Sequence, residues 1–101
     1  MEQLTYQFGP YPPAASVAPT LVGVVGSGNM EVLFEPQDLQ GHIRFQVETS
    51  IGGFDATWQA VLQAFADRHR VGDLLVTIND AGATPSVVAL RLAQAAEELG
   101  V

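Results

Sequence analysis

Residues Leu21 to Pro36 read LVGVVGSGNMEVLFEP, and the fold turns on them. Two apolar runs, Leu21 to Val25 and Met30 to Glu35, are joined by Gly26-Ser27-Gly28-Asn29, the small and polar residue types that tight chain reversals select. Pro36 ends the second run, because it has no N–H to give to a sheet. The stretch reads as a β-hairpin, so the rest of the chain must supply the sheet that it joins. It also places Ser27 between two glycines at the reversal, either as a turn residue or as a hydroxyl kept accessible.

Upstream, GPYPPAASVAP (residues 9–19) holds four of the six prolines and reads as a surface loop. Before it, Leu4, Tyr6 and Phe8 alternate in QLTYQF, the period of a half-buried strand. Downstream, HIRFQVET sets Ile43, Phe45 and Val47 inward and His42, Arg44, Gln46 and Glu48 outward, which describes a sheet with one wet face. The period then changes. Phe54, Trp58, Val61, Leu62 and Phe65 recur at helical spacing, with Asp55 as the expected N-cap and Arg68, His69 and Arg70 at the end where positive charge complements the dipole. DLLVTIN is a further strand. A second helix follows with Thr84 as cap, Pro85 at its first position, Val88, Leu92, Ala95, Ala96 and Leu99 on one face, and Gly100 past its end. These elements predict an α+β fold in two layers, with a mainly antiparallel sheet of four to five strands and both helices on one face. Residues 1–101 are expected to form a single domain that includes the Pro-rich loop 9–19.

Composition narrows the function. A chain of 101 residues buries roughly 60 to 65% of its unfolded surface, enough for one core. It has no cysteine, which removes thiol chemistry of its own and Cys-based metal sites. A net charge of −7, with four arginines and no lysine, repels phosphate backbones and anionic bilayers, so nucleic acid and membranes are not expected partners. Mean hydropathy is +0.20, but the apolar runs fall far short of the roughly 18 residues a spanning helix needs. The start, Met1-Glu2-Gln3, lacks the basic region of a signal peptide, and a cytoplasmic location is expected.

No assembled active site is evident. VVGSGNM departs from the G-x-S-x-G nucleophile elbow, since the serine joins two strands and a glycine follows it directly. His42 and His69 have no evident acidic partner to complete a triad and no shared spacing to hold a metal. They read as surface residues. Trp58 reads as core, Arg68 and Arg70 as dipole partners, and Thr84-Pro85 as a cap whose free amides also suit an anion. Glu97 and Glu98 oppose the dipole of the last helix and mark a frayed end or a docking surface. No catalytic or metal-binding residue is therefore expected. A presented serine and an acidic surface suit a protein that is acted upon: a carrier, whose nucleophile must be reachable and whose neighbours, Gly26 and Gly28, must leave clearance for a long arm.

The stretch LVGVVGSGNMEVLFEP, together with INDAGATPSVVALRLAQAAEE downstream, resembles the acyl carrier (delta) subunit of malonate decarboxylase across most of the chain. The resemblance implies that Ser27, the serine of the V-G-S-G-N-M-E-V stretch, carries phosphoribosyl-dephospho-CoA through a phosphodiester, with Gly26 and Gly28 giving it clearance. The thiol of that group would hold acetyl and malonyl thioesters while malonate is converted to acetate and carbon dioxide. Implied partners are the transferase (alpha) and decarboxylase (beta, gamma) subunits, a prosthetic-group transferase and acyl-loading enzymes. The pattern differs from phosphopantetheine carriers, which resemble four-helix bundles with serine in an Asp-Ser-Leu motif. Two rival readings stay open at this stage: an unmodified scaffold domain of a larger complex, and a small serine-dependent or anion-binding enzyme.

Overall fold

The computed structural model describes residues 1–13, 18–23 and 29–100. Five strands and two helices follow in the order β1 (Glu2–Phe8), β2 (Thr20–Gly23), β3 (Met30–Pro36), β4 (Ile43–Thr49), α1 (Asp55–His69), β5 (Leu74–Asp80) and α2 (Pro85–Leu99). The strands form one sheet in the order β1-β4-β5-β3-β2. Three of its pairings are antiparallel, while β4 and β5 run parallel at its centre. Parallel neighbours need a long crossover, and α1 is that crossover. The α+β class and the mainly antiparallel sheet are as the sequence predicts.

The period-two alternation decides which face is buried. Ile43, Phe45, Val47 and Thr49 on β4, Leu74, Val76, Ile78 and Asp80 on β5, and Met30, Val32 and Phe34 on β3 are all buried. Register aligns them in rows, such as Tyr6-Phe45-Val76-Phe34 and Leu4-Val47-Ile78-Val32-Val22. Both helices cover this face. α1 turns Trp58, Leu62, Phe65 and Ala66 inward, α2 turns Val88, Leu92, Ala95 and Ala96 inward, and all join one hydrophobic cluster with the strands. Phe65 sits between sheet aromatics, its ring centroid 5.9 Å from Phe34 and 6.1 Å from Phe45, and so couples α1 to β3 and β4. Fully burying one such side chain contributes about 1.5 to 3 kcal/mol. The opposite face keeps Gln3, Thr5, Gln7 and Gln46 exposed. No helix among the described residues is long and apolar enough to cross a membrane.

The helix ends show where local signals held and where one did not. At α2 the Thr84 side chain accepts from the Val87 N–H at 3.4 Å, Pro85 opens the helix and Gly100 closes it in the left-handed conformation. At α1 the N-cap is Phe54, with no side-chain cap bond, and Asp55 is the first helical residue. The expected Asp55 cap is corrected for a physical reason: the Tyr6 hydroxyl of β1 donates to both the carboxylate and the carbonyl of Asp55. Partial burial, then that hydrogen bond and the nearby charges of Asp55 and Glu2, push the Tyr6 phenol above its ordinary pKa. Trp58 is core, only 6% exposed. His69 is half-buried with its ring 4.3 Å from that of Phe65, and burial followed by the charge of Arg68 lowers its pKa. Arg70 caps α1 and lies over the Tyr11 ring at 5.3 Å.

The described part of the Pro-rich segment is tied down. Tyr11 N–H donates to the Gly41 carbonyl and Gly72 N–H to the Pro12 carbonyl, both at 2.8 Å. A Cβ at Gly72 would collide with the Gly41 carbonyl oxygen, so only glycine lets these loops meet. Residues 14–17 of the segment lie outside the described residues.

Asp73 organises the same end of the sheet. Its Oδ1 accepts from the Gly41 N–H at 2.8 Å and the Leu39 N–H at 3.1 Å. These two amides favour the ionised form and hold its pKa below the usual carboxylate value. A depressed native pKa means that the contribution is present above the unfolded-state value near 3.8 and is lost as pH falls through the native value. Asp73→Asn tolerates the positive φ of this position, so it isolates the charge. Its urea midpoint should fall below wild type at pH 7, and the gap should close below about pH 3.8; a gap that does not change with pH would show that the carboxylate charge is not the source.

Candidate functional site

β2 and β3 are antiparallel neighbours, in keeping with the hairpin read from the sequence, and β2 forms an edge of the sheet. β2 pairs with β3 from Thr20↔Phe34 to Gly23↔Glu31. Val24 and Val25, the end of the first predicted run, and Gly26, Ser27 and Gly28 lie outside the described residues, which include the feet Gly23 and Asn29 on either side of them. Gly23 has φ +88°, and a Cβ there would collide with the Met30 carbonyl oxygen. Glycine is therefore required where the chain leaves β2.

The other foot, Asn29, is held from three sides. Its carbonyl accepts from the Ala81 N–H at 2.9 Å, and its side-chain Oδ1 accepts from its neighbour Met30 N–H at 2.8 Å and from Arg91 Nε–H at 3.2 Å. Arg91 is half-buried on α2, passes beside Gly23, and donates through Nη1 to Gln94 Oε1 at 3.0 Å. One arginine thus touches the surroundings of both feet.

Behind Asn29 stands a buried carboxylate. Asp80, 7% exposed, ends β5. Its Oδ2 accepts from the Thr49 hydroxyl at 2.8 Å and the Gly82 N–H at 3.2 Å, and its Oδ1 accepts from the Ala83 N–H at 2.8 Å. That shapes the β5–α2 loop, whose Ala81 amide in turn holds Asn29. Beside this loop, Ile51, Phe54, Trp58, Ala83, Pro85 and Val88 line an apolar cleft of about 430 Å³.

His42 lies close enough to Asp73 for its charge to favour that carboxylate's ionised form, but neither histidine hydrogen-bonds to a carboxylate among the described residues. The Nδ1 of His42 pairs with the Leu39 carbonyl at 2.9 Å, and His69 packs on Phe65. No group of three or more His, Asp or Glu among the described residues could hold a metal ion. Sequence reading missed Asp80 and Arg91. The signals were an Asp in the turn sequence NDAG and a lone arginine between Leu90 and Leu92 in a chain with four cations. Neither reveals its partner, since Arg91 meets Asn29 across 62 residues of chain.

These elements define a small α+β domain whose edge strand pair has both of its inner ends, Gly23 and Asn29, fixed, with Arg91 of α2 beside them. Comparison with known proteins gives that class its family. Residues 17–99 match the family model described as malonate decarboxylase delta subunit. A malonate decarboxylase acyl carrier protein of Xanthomonas euvesicatoria is 51% identical over 100 residues, covering 98% of this chain and 95% of that one. A Burkholderia cepacia protein of the same description is 50% identical over 99 residues, covering 98% and 91%. A chain in the crystal structure of a Pseudomonas malonate decarboxylase hetero-tetramer in complex with malonate superposes with a TM-score of 0.88 at 43% identity, covering 99% of this chain and all of that one. The chain belongs to the malonate decarboxylase delta-subunit family, whose members are acyl carriers rather than catalysts.

Proposed function

We propose that this chain is the acyl carrier of a malonate decarboxylase and that Ser27 bears phosphoribosyl-dephospho-CoA in phosphodiester linkage. The observation that carries the proposal is the family match through residues 17–99, which contains the V-G-S-G-N-M-E-V hairpin. When bound, the group supplies a thiol on which acetyl and malonyl units are held as thioesters, and a thioester carbonyl accepts the charge left by loss of carbon dioxide far better than free malonate does.

The residues on hand fit such a group. The chain has no cysteine, so a thiol has to be brought to it. Among the described residues Arg91, beside Gly23 and Asn29, donates to the neutral amide oxygens of Asn29 and Gln94, and its positive charge suits a phosphodiester. Gly26 and Gly28 flank the serine without side-chain bulk, and the pinned feet fix where the loop leaves the sheet. Residues 1–101 act as one carrier domain in the cytoplasm. Its partners are the transferase (alpha) and decarboxylase (beta, gamma) subunits, the prosthetic-group transferase and the acyl-loading enzymes. What the carrier contributes is delivery, converting diffusional encounters into tethered ones.

Thiol titration tests this directly, because the bare chain contains none. The chain isolated from an actively decarboxylating complex and treated to hydrolyse thioesters should give one thiol per chain. The chain expressed without its modifying enzymes should give zero. Zero thiols in both preparations would overturn the proposal.

A further inference from the structure

We infer that the apolar cleft between the first turns of α1 and α2 is a seat for a neutral acyl thioester, one that takes the acetyl form of the carried group and turns the malonyl form away. This rests on the carrier reading above and deepens it, and every residue that lines the cleft is among the described ones. The cleft opens where the two parallel strands end: Thr49 closes β4, Asp80 closes β5, and the two are register partners. Crevices at the carboxyl ends of parallel strands are where such sheets bind ligands. Trp58 and Val88, both buried, and the half-buried Val61 and Ala83 line it, while Ile51 and Phe54 stand at its mouth, 45% and 51% exposed. Two large apolar side chains left partly in water around a cleft of about 430 Å³ mark a surface kept for a ligand.

The lining selects by charge. Its one acidic side chain is Asp80, whose oxygens already accept from Thr49, Gly82 and Ala83 and whose charge repels a second anion. The helix ends do not reverse this, because Asp55 in the first turn of α1 already complements that dipole and the Thr84 side chain caps α2. What remains is an apolar interior with the hydroxyl-bearing Thr57 and Thr84 beside it, each able to give a neutral hydrogen bond to a carbonyl. An acetyl thioester has that chemistry: a methyl group, a carbonyl and no charge. A malonyl thioester adds a carboxylate that the cleft would have to hold near Asp80. Tethering raises the local concentration of a carried thioester, so even a weak seat suffices to hold the acetyl form out of water. The malonyl form is left free for a partner's site.

The test uses the bare full-length chain and untethered probes, the S-acetyl and S-malonyl thioesters of N-acetylcysteamine, so it does not depend on where the arm is joined. Trp58, the single tryptophan of the chain, reports from within the cleft. Its fluorescence and the amide resonances of Ile51, Ala83 and Val88 should change saturably with the acetyl probe, and the malonyl probe should bind at least about fivefold more weakly. Phe54→Ser removes the apolar side chain at the mouth while supplying a residue type that α1 prefers at its N-cap, so the fold is kept. It should weaken binding of the acetyl probe by about threefold or more. No saturable change at those amides, equal affinity for the two probes, or undiminished binding by Phe54→Ser would overturn the inference and leave the carrier reading intact. A chain from the active complex that holds no thiol would instead overturn the carrier reading itself, whatever the probes do.

Discussion

Replacing Ser27 by alanine should abolish malonate decarboxylation by the reconstituted complex, reducing turnover to that of a mixture lacking this chain, while folding stability changes by less than about 0.5 kcal/mol. The two readings of the serine differ sharply here. A turn serine contributes at most a local hydrogen bond, and a turn flanked by Gly26 and Gly28 tolerates its loss. An attachment serine contributes the only oxygen to which the arm is joined, and this chain has neither cysteine nor lysine to substitute as a nucleophile. The comparison is made at equal chain concentration, with far-ultraviolet circular dichroism and thermal unfolding as the controls on folding. Full activity with Ser27→Ala would return the serine to the turn and the chain to the scaffold reading.

The second large effect is on stability. Asp80→Ala should cost about 2 to 4 kcal/mol, because three hydrogen bonds to one carboxylate vanish and the Thr49 hydroxyl and two loop amides lose their partner in a site only 7% exposed. For a domain of this size that corresponds to a fall in Tm of roughly 10 °C or more. Asp80→Asn, which keeps an acceptor, should fall in between. The damage also travels to the hairpin, since the β5–α2 loop presents the Ala81 amide to Asn29. Hydrogen exchange should therefore be faster at Ala81 in Asp80→Asn than in wild type. A loss of less than about 1 kcal/mol in Asp80→Ala would show that the carboxylate is solvated and the loop self-supporting.

The elements were legible where local chemistry decides them. Alternation in IRFQVET places Ile43, Phe45 and Val47 inward, and the Thr84-Pro85 cap with Gly100 bounds α2, all as the structure has them. The central parallel pairing of β4 with β5 was not legible, because strand order is set by which long-range contacts bury the most surface, and LLVTIND looks the same beside any neighbour. Asp55 carried a convincing cap signal that a tyrosine 49 residues upstream overrode. At the site, the serine and its glycines could be singled out by sequence. Asn29, Arg91 and Asp80 could not, since the contacts that tie them together, Arg91 with Asn29, Ala81 with Asn29 and Thr49 with Asp80, are distant along the chain.

The central claim is that Ser27 is an attachment point, and the measurement that tests it most directly is the intact mass of the chain taken from an active complex, followed by fragmentation to place any added group. The account predicts a mass increase equal to phosphoribosyl-dephospho-CoA in phosphodiester linkage, located on Ser27 and absent from Ser27→Ala. An unmodified chain in a complex that is decarboxylating malonate, or the same group on another residue, would contradict it.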